Sequence, residues 1–217
     1  MKVLVIAPFV PWPLNQGGAI RVFNLVTELA RSHQVTLACL TDGRDADFGP
    51  LAGCCHQVHA VPRPPDFLRD FGGFLFGGEA YNMRRFESPP FRDLLAGLAQ
   101  QEHYDLLLVE YSYLWQYAGL VPAGAKVLDA HNVESAIVGQ LGRACGNPLK
   151  RMLYRLEERK LREGEERAWE EADCCLAVSA AEKSAIAGRV GAPDKVLSVP
   201  NGVDPDYFAF RGGRGAV

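Results

Sequence analysis

The sequence predicts an α/β class domain. It is a single Rossmann-like unit with a mostly parallel sheet of about seven strands and helices on both faces. Three observations predict it. Short apolar runs recur along the chain, and most are followed by apolar residues at helical spacing, the alternation that builds a doubly wound sheet. The first runs are apolar without a polar alternate, as strands buried on both faces require. Polar or glycine-rich turns follow several of the runs, and ligands bind outside the carboxyl ends of the strands in open α/β sheets.

Taken in order, Lys2 to Ala7 is the first strand. Pro8, Pro11 and Pro13 then forbid helix, and Asn15-Gln16-Gly17-Gly18 opens a helix whose apolar positions are Ile20, Phe23, Leu25, Val26 and Leu29. Gln34 to Leu40 and Gln57 to Val61 read as the second and third strands. Pro62, Pro64 and Pro65 introduce a segment from Asp66 to Met83 that is rich in phenylalanine and glycine. Ser88-Pro89-Pro90 has a cap followed by first-turn proline, so a helix runs from there to about Gln101. Asp105 to Glu110 is the fourth strand, followed by a short aromatic helix or turn over Tyr111 to Gly119. Lys126 to Leu128 is the fifth strand, and it enters a polar turn. Asn147-Pro148 starts a long charged helix to about Glu171, and Cys174 to Val178 is the sixth strand. Ser179-Ala-Ala-Glu182 fits a capping box. Val196 to Val199 is the seventh strand, broken by Pro200-Asn201-Gly202.

Composition excludes several classes. Apolar content of 48% and charge of 23% are those of a globular domain, and a net charge of −3 offers no basic field for nucleic acid. No run reaches the ~18 apolar residues of a membrane span. The six cysteines include two adjacent pairs and no Cys-x-x-Cys, so free thiols and a reducing, cytoplasmic setting are expected. Neither an Asp-x-Asp loop nor a His-Glu-x-x-His occurs, and no metal or other cofactor is expected.

The chemistry gathers after the strands. Gly17 and Gly18 at a helix start let backbone amides approach an anion, or make a plain turn. Arg21, in the first turn, opposes the helix dipole; either an anionic ligand compensates it or it stands exposed at slight cost. Asp129-Ala-His131-Asn132-Val-Glu134 follows the fifth strand. An imidazole at a sheet rim can bond a hydroxyl or steady developing charge. Glu110 and Tyr111 end the fourth strand on the same rim, where they face a ligand or pack. Phe67, Leu68, Phe71 and Phe74 beside Arg69 suit a bilayer surface or a lipid-linked acceptor, but packing on the sheet or covering another domain is the favoured reading. The helix over residues 150–171 carries seven basic and seven acidic residues and reads as solvated, held down by Met152, Leu153 and Leu156. The spacing of Glu157 and Glu165 in it is read as coincidence.

Four stretches together resemble the N-terminal half of bacterial family 4 glycosyltransferases of the GT-B fold. They are KVLVIAPFVPWPLNQGGAIRVFNLVTELA, DAHNVES, ADCCLAVSAAEKSAI and VLSVPNGVDPDYF. The overall look is similar to sugar transferases of exopolysaccharide clusters. The resemblance implies retaining transfer of a sugar from a nucleotide diphosphate to a glycan or lipid-linked acceptor. It places Gly17, Gly18 and Asn201 on the donor side, His131 at the donor sugar as the catalytic group, and Arg21, Glu110, Tyr111, Asn132 and Glu134 around the acceptor. It divides the chain into an acceptor-side domain over 1–200 and a linker start over 201–217. The family's second domain, which binds the nucleotide base, is expected to be missing, with activity of this chain alone in doubt. A peripheral position on the inner membrane face is the associated expectation. A binding module without turnover and a GT-B sugar-nucleotide epimerase are the alternatives.

Overall fold

The computed structural model describes residues 1–42, 46–63 and 66–202. Pro64, Pro65, Val203, Asp204 and the glycine-rich tail lie outside them. The expected strands are present: β1 (Lys2–Ala7), β2 (Gln34–Thr41), β3 (Gln57–Pro62), β4 (Tyr104–Glu110), β5 (Ala123–Asp129), β6 (Cys174–Ala177) and β7 (Val196–Ser198). They form one sheet in the order β3-β2-β1-β4-β5-β6-β7, and every pairing is parallel. The order turns back between β1 and β4, which makes their carboxyl ends the topological switch point.

The helices are α1 (Gly17–Ala30), α2 (Leu51–Cys54), α3 (Phe67–Phe76), α4 (Tyr81–Arg84), α5 (Pro89–Gln101), α6 (Glu134–Ala144), α7 (Pro148–Glu171) and α8 (Ala180–Ala187). A 3₁₀ segment over Ser112–Leu120 carries the aromatic turn. Strand residues alternate between two cores. Val3, Val5 and Ala7 pack with Val22 and Val26 of α1 on one face. Leu4 and Ile6 pack with Phe91 and Leu95 of α5 and Trp169 of α7 on the other. Each fully buried large apolar side chain contributes roughly 1.5–3 kcal/mol, so the sheet is a rigid platform for the loops at its ends. Ser88, Asn147 and Ser179 accept from the amides of Phe91, Lys150 and Glu182, as N-caps.

The reading of α7 needs correction. Met152 is 58% exposed and anchors nothing. Leu153 and Leu156 are half-buried, and the buried face of the helix is Glu157, Lys160, Leu161, Glu165, Ala168 and Trp169. Glu157 accepts from the amides of Tyr81 and Asn82 at 2.7 and 3.0 Å, and so caps α4 from outside. Glu165 does the same for α6. Eight residues apart on one helix face, these carboxylates each satisfy orphan amides of another helix. Lys160, between them, donates to the carbonyls of Phe74 and Gly77 at the end of α3. Of the phenylalanine-rich segment, Phe74 is buried, whereas Phe67, Leu68 and Phe76 stand in solvent. No helix among the described residues is long and apolar enough to cross a membrane.

Candidate active site at the switch point

Two loops make the site, and each leaves its strand through a non-glycine residue with positive φ. Tyr111 follows β4 with φ 70°, and His131 follows β5 with φ 54°. Such conformations cost roughly 1–3 kcal/mol each and persist only where the surroundings over-determine them. Here the surroundings do. The Tyr111 amide donates to Asp129 O at 2.9 Å, the Ala130 amide to Leu176 O at 2.9 Å, and the Asn132 amide back to Ala130 O at 2.6 Å. The His131 ring lies flat on Tyr111, with centroids 3.8 Å apart and planes 8° apart. Tyr113 continues the stack at 5.1 Å from Tyr111, and Phe86 follows at 4.3 Å.

Beneath this stack lies a buried polar cluster. His131 Nε2 meets Glu110 Oε2 at 2.7 Å. Arg21 reaches from α1 to grip both oxygens of Asp129, Nε to Oδ2 at 2.7 Å and Nη2 to Oδ1 at 3.0 Å, the bidentate geometry that suits a guanidinium. Its Nη1 donates to Val199 O at 2.8 Å and Asn201 Oδ1 at 2.9 Å. Glu110 and Asp129 are fully buried, and Arg21 and His131 nearly so. The charge that compensates Arg21 is therefore Asp129, a hundred residues away in sequence. An anionic ligand is not needed for it; Arg21 borders the groove beside α1 while nearly buried, and Glu110 is sealed from solvent, the packed alternative for that residue.

Burial pushes the Glu110 carboxyl up to about 7; the His131 hydrogen bond pulls it back, and the Asp129 charge pushes it further up. Glu110 Oε1 has no hydrogen-bond partner among the described residues, which fits that desolvation. The contact with Glu110 occupies His131 Nε2 whichever group carries the proton. The other ring nitrogen, Nδ1, makes no hydrogen bond among the described residues. Glu134 is half-buried with its carboxyl raised by burial, and Asn132 donates to it at 3.4 Å.

Gly17 and Gly18 are the first residues of α1 rather than a loop before it. No side chain caps that end, and its first turn holds no acid. A Cβ at Gly18 would stand 2.3 Å from the Tyr111 hydroxyl, whereas one at Gly17 would meet nothing within 4 Å. Gly18 is therefore required by the close approach of Tyr111, a reason that sequence alone did not offer. Two openings flank the cluster. A cleft of about 700 Å³ at the ends of β1 to β3 is lined by Phe9, Trp12, Asn15, Asp47, Arg85 and Phe86, among others. A groove of about 720 Å³ beside the start of α1 is lined by Gly17, Arg21, Asn24, Val199, Asn201 and Gly202, among others. His131, Glu110, Tyr111, Asn132 and Glu134 line neither.

One group of side chains among the described residues has metal-ligand geometry. Single donor atoms of Glu110, Asp129 and His131 lie within 4.8 Å of one another. The arrangement fits a cation poorly. Arg21 already holds both Asp129 oxygens, and a metal there would face its guanidinium.

A doubly wound parallel sheet with a polar cluster at its switch point defines a Rossmann-like α/β domain. The Glycosyltransferase Family 4 model matches residues 15–207, and the chain belongs to that family. Among solved structures, the Anabaena protein Alr3699/HepE in complex with UDP-glucose is 16% identical with a TM-score of 0.50, over 95% of this chain and 45% of that one. Medicago truncatula UGT71G1 complexed with UDP-glucose is 14% identical with a TM-score of 0.50, over 94% of this chain and 52% of that one. The Candida albicans trehalose-6-phosphate phosphatase N-terminal domain is 13% identical with a TM-score of 0.54, over 95% and 49%. At these identities the likeness is one of fold. The chain spans about half the length of the structures it matches. No match was found among curated proteins.

Proposed function

We propose that this domain is the acceptor side of a retaining glycosyltransferase that uses a nucleotide-diphosphate sugar. The observation that carries the reading is the His131–Glu110 pair, held rigidly at the switch point of a family 4 domain, with no hydrogen bond at Nδ1 among the described residues. In this reading His131 meets the donor sugar. The uncapped amides at Gly17 and Gly18 meet the diphosphate, where the start of α1 favours negative charge. Catalysis is then positioning and charge stabilisation, without a metal. Asn201 contributes on the donor side by fixing the groove wall through Arg21. Glu110, Arg21 and Tyr111 act behind His131 instead of touching the acceptor, and Asn132 and Glu134 border it.

The acceptor enters the cleft of Phe9, Trp12 and Phe86, whose rings suit sugar faces and whose Asn15, Asp47 and Arg85 suit hydroxyls. A glycan or lipid-linked glycan in exopolysaccharide assembly, at the cytoplasmic membrane face, is the setting that the sequence resemblance supports. The exposed Phe67, Leu68 and Phe76 support a membrane-side acceptor. The test is His131→Ala in the full-length protein, assayed by nucleotide release from a UDP-sugar with and without an added glycan acceptor. Turnover is expected to fall by roughly 100-fold or more with the melting temperature little changed. Unchanged turnover removes His131 from the chemistry.

A further inference from the structure

The loop that carries His131 is three residues long between two fixed points. Upstream, Asp129 is paired in the sheet and Ala130 is bonded to Leu176. Downstream, the first two residues of α6 donate their amides to one carboxylate, Glu134 N to Glu165 Oε1 at 2.6 Å and Ser135 N to Glu165 Oε2 at 3.2 Å. Helix α6 has no cap of its own, because its N-cap residue is Val133, which has no polar side-chain atom. Glu165 is completely buried on α7, and α7 is anchored in turn by Trp169 and Ala168 in the core. The positive φ of His131 is a conformation that only over-determined surroundings maintain.

We infer that Glu165 is a positioning residue for the proposed transfer. It is the downstream pin that holds His131 in its left-handed conformation, flat against Tyr111 and bonded to Glu110. It touches neither His131 nor a ligand, and acts through the start of α6. Without it the two amides lose their acceptor, α6 unwinds or shifts at its first turn, and His131 relaxes toward ordinary backbone angles and off the Tyr111 ring. The kinetic part of this inference rests on the transferase reading above; the conformational part does not.

The experiment compares wild type, Glu165→Ala, Glu165→Gln and the double variant Glu165→Ala with Val133→Thr, all in the full-length protein. Threonine keeps the shape of valine and gives α6 a hydroxyl cap of its own. Three quantities are read: the ¹⁵N side-chain signals of His131, kcat and KM for the UDP-sugar, and the melting temperature. Both single variants are expected to shift the His131 ring signals and lower kcat up to about 100-fold, the cost of a misplaced reacting group. KM should move less than kcat, and Val133→Thr should restore both the signals and the rate. If melting falls while the His131 signals and kcat stay at wild-type values, Glu165 is only a stabilising cap and the inference fails. If Glu165→Ala does not fold, Glu165→Gln, which keeps one acceptor oxygen, decides on the same readouts; unshifted His131 signals there overturn the inference. Shifted signals together with an active His131→Ala protein would leave Glu165 as the pin and overturn the transferase role of His131 instead.

Discussion

Replacing Arg21 by methionine tests the buried cluster without any assumption about function. The substitution keeps most of the stem and removes the guanidinium from Asp129, Val199 O and Asn201. It leaves Asp129 fully buried with its two charge-assisted bonds from Arg21 gone, and with His131 Nε2 3.8 Å away, beyond hydrogen-bond reach. Breaking a buried pair by removing one partner costs roughly 3–5 kcal/mol, because the orphaned charge keeps its desolvation penalty. For a domain of this size each kcal/mol lowers the melting temperature by about 2–4 °C, so a drop of roughly 6–20 °C is expected by calorimetry. The companion variant Arg21→Met with Asp129→Asn removes both charges, and should regain at least half of that loss, since the penalty lies in the unpaired charge and not in the absent contact. Urea titrations at pH 7 would give the same ordering. A single variant within about 1 kcal/mol of wild type would refute the claim that the pair is desolvated. A double variant no better than the single would show that the bonds to Val199 and Asn201, not Asp129, carry the effect.

Other consequences are as direct. Burial holds the Glu165 carboxyl up at about 7, against an ordinary value near 4.5. The folded state thus binds a proton the unfolded state has lost, and stability relative to Glu165→Gln should fall by up to about 1.4 kcal/mol per pH unit from about 4.5 to 7 and then level off; a flat difference over that range would show an ordinary carboxylate. Gly18→Ala should destabilise by roughly 1–3 kcal/mol, because the new methyl must displace Tyr111 from the ring stack, whereas Gly17→Ala should be neutral or slightly stabilising. Should both variants weaken UDP-sugar binding while only Gly18→Ala lowers stability in urea titrations, the diphosphate assignment gains support; unweakened binding by both would reject it. The pair Phe67→Ser and Phe76→Ser should lower co-sedimentation with anionic lipid vesicles and leave melting within a few degrees, since both rings are mostly in solvent.

Local physics was legible in the sequence, and long-range pairing was not. β1 has the bounds that its apolar run predicts, and the caps at Ser88, Asn147 and Ser179 sit where serine or asparagine precedes a helix. β5 begins three residues before its apolar core, because Ala123-Gly124-Ala125 carries no bulky signal; Gly124 lies where a Cβ would come 2.8 Å from Asp105 O. Arg21 at the start of α1 is legible as a cation that opposes the helix dipole. Its partner lay 108 residues away on another element, and no periodicity reports that. The capping roles of Glu157 and Glu165 are hidden for a related reason. In a helix with balanced charges a buried carboxylate looks like its solvated neighbours until the amides it caps are placed beside it. Nor does any pattern mark Tyr111 and His131 as left-handed: only a few per cent of non-glycine residues have positive φ, and although histidine is enriched there, most histidines are not.

Taken together, these features argue that the switch point is organised for function at a cost in stability. Four ionisable side chains are desolvated within one cluster, and two non-glycine residues above them hold left-handed angles. A core of apolar residues with ordinary turns would be more stable, because buried ion pairs seldom repay their desolvation. What the arrangement yields is a single imidazole orientation, set by Glu110 on one edge, Tyr111 on one face and α6 behind. Were the cluster merely structural, replacing Arg21, Asp129 and Glu110 together by apolar residues of similar volume would leave the His131 ring signals in place. We expect instead a more stable domain in which His131 samples several orientations, because apolar packing restores cohesion without fixing the ring.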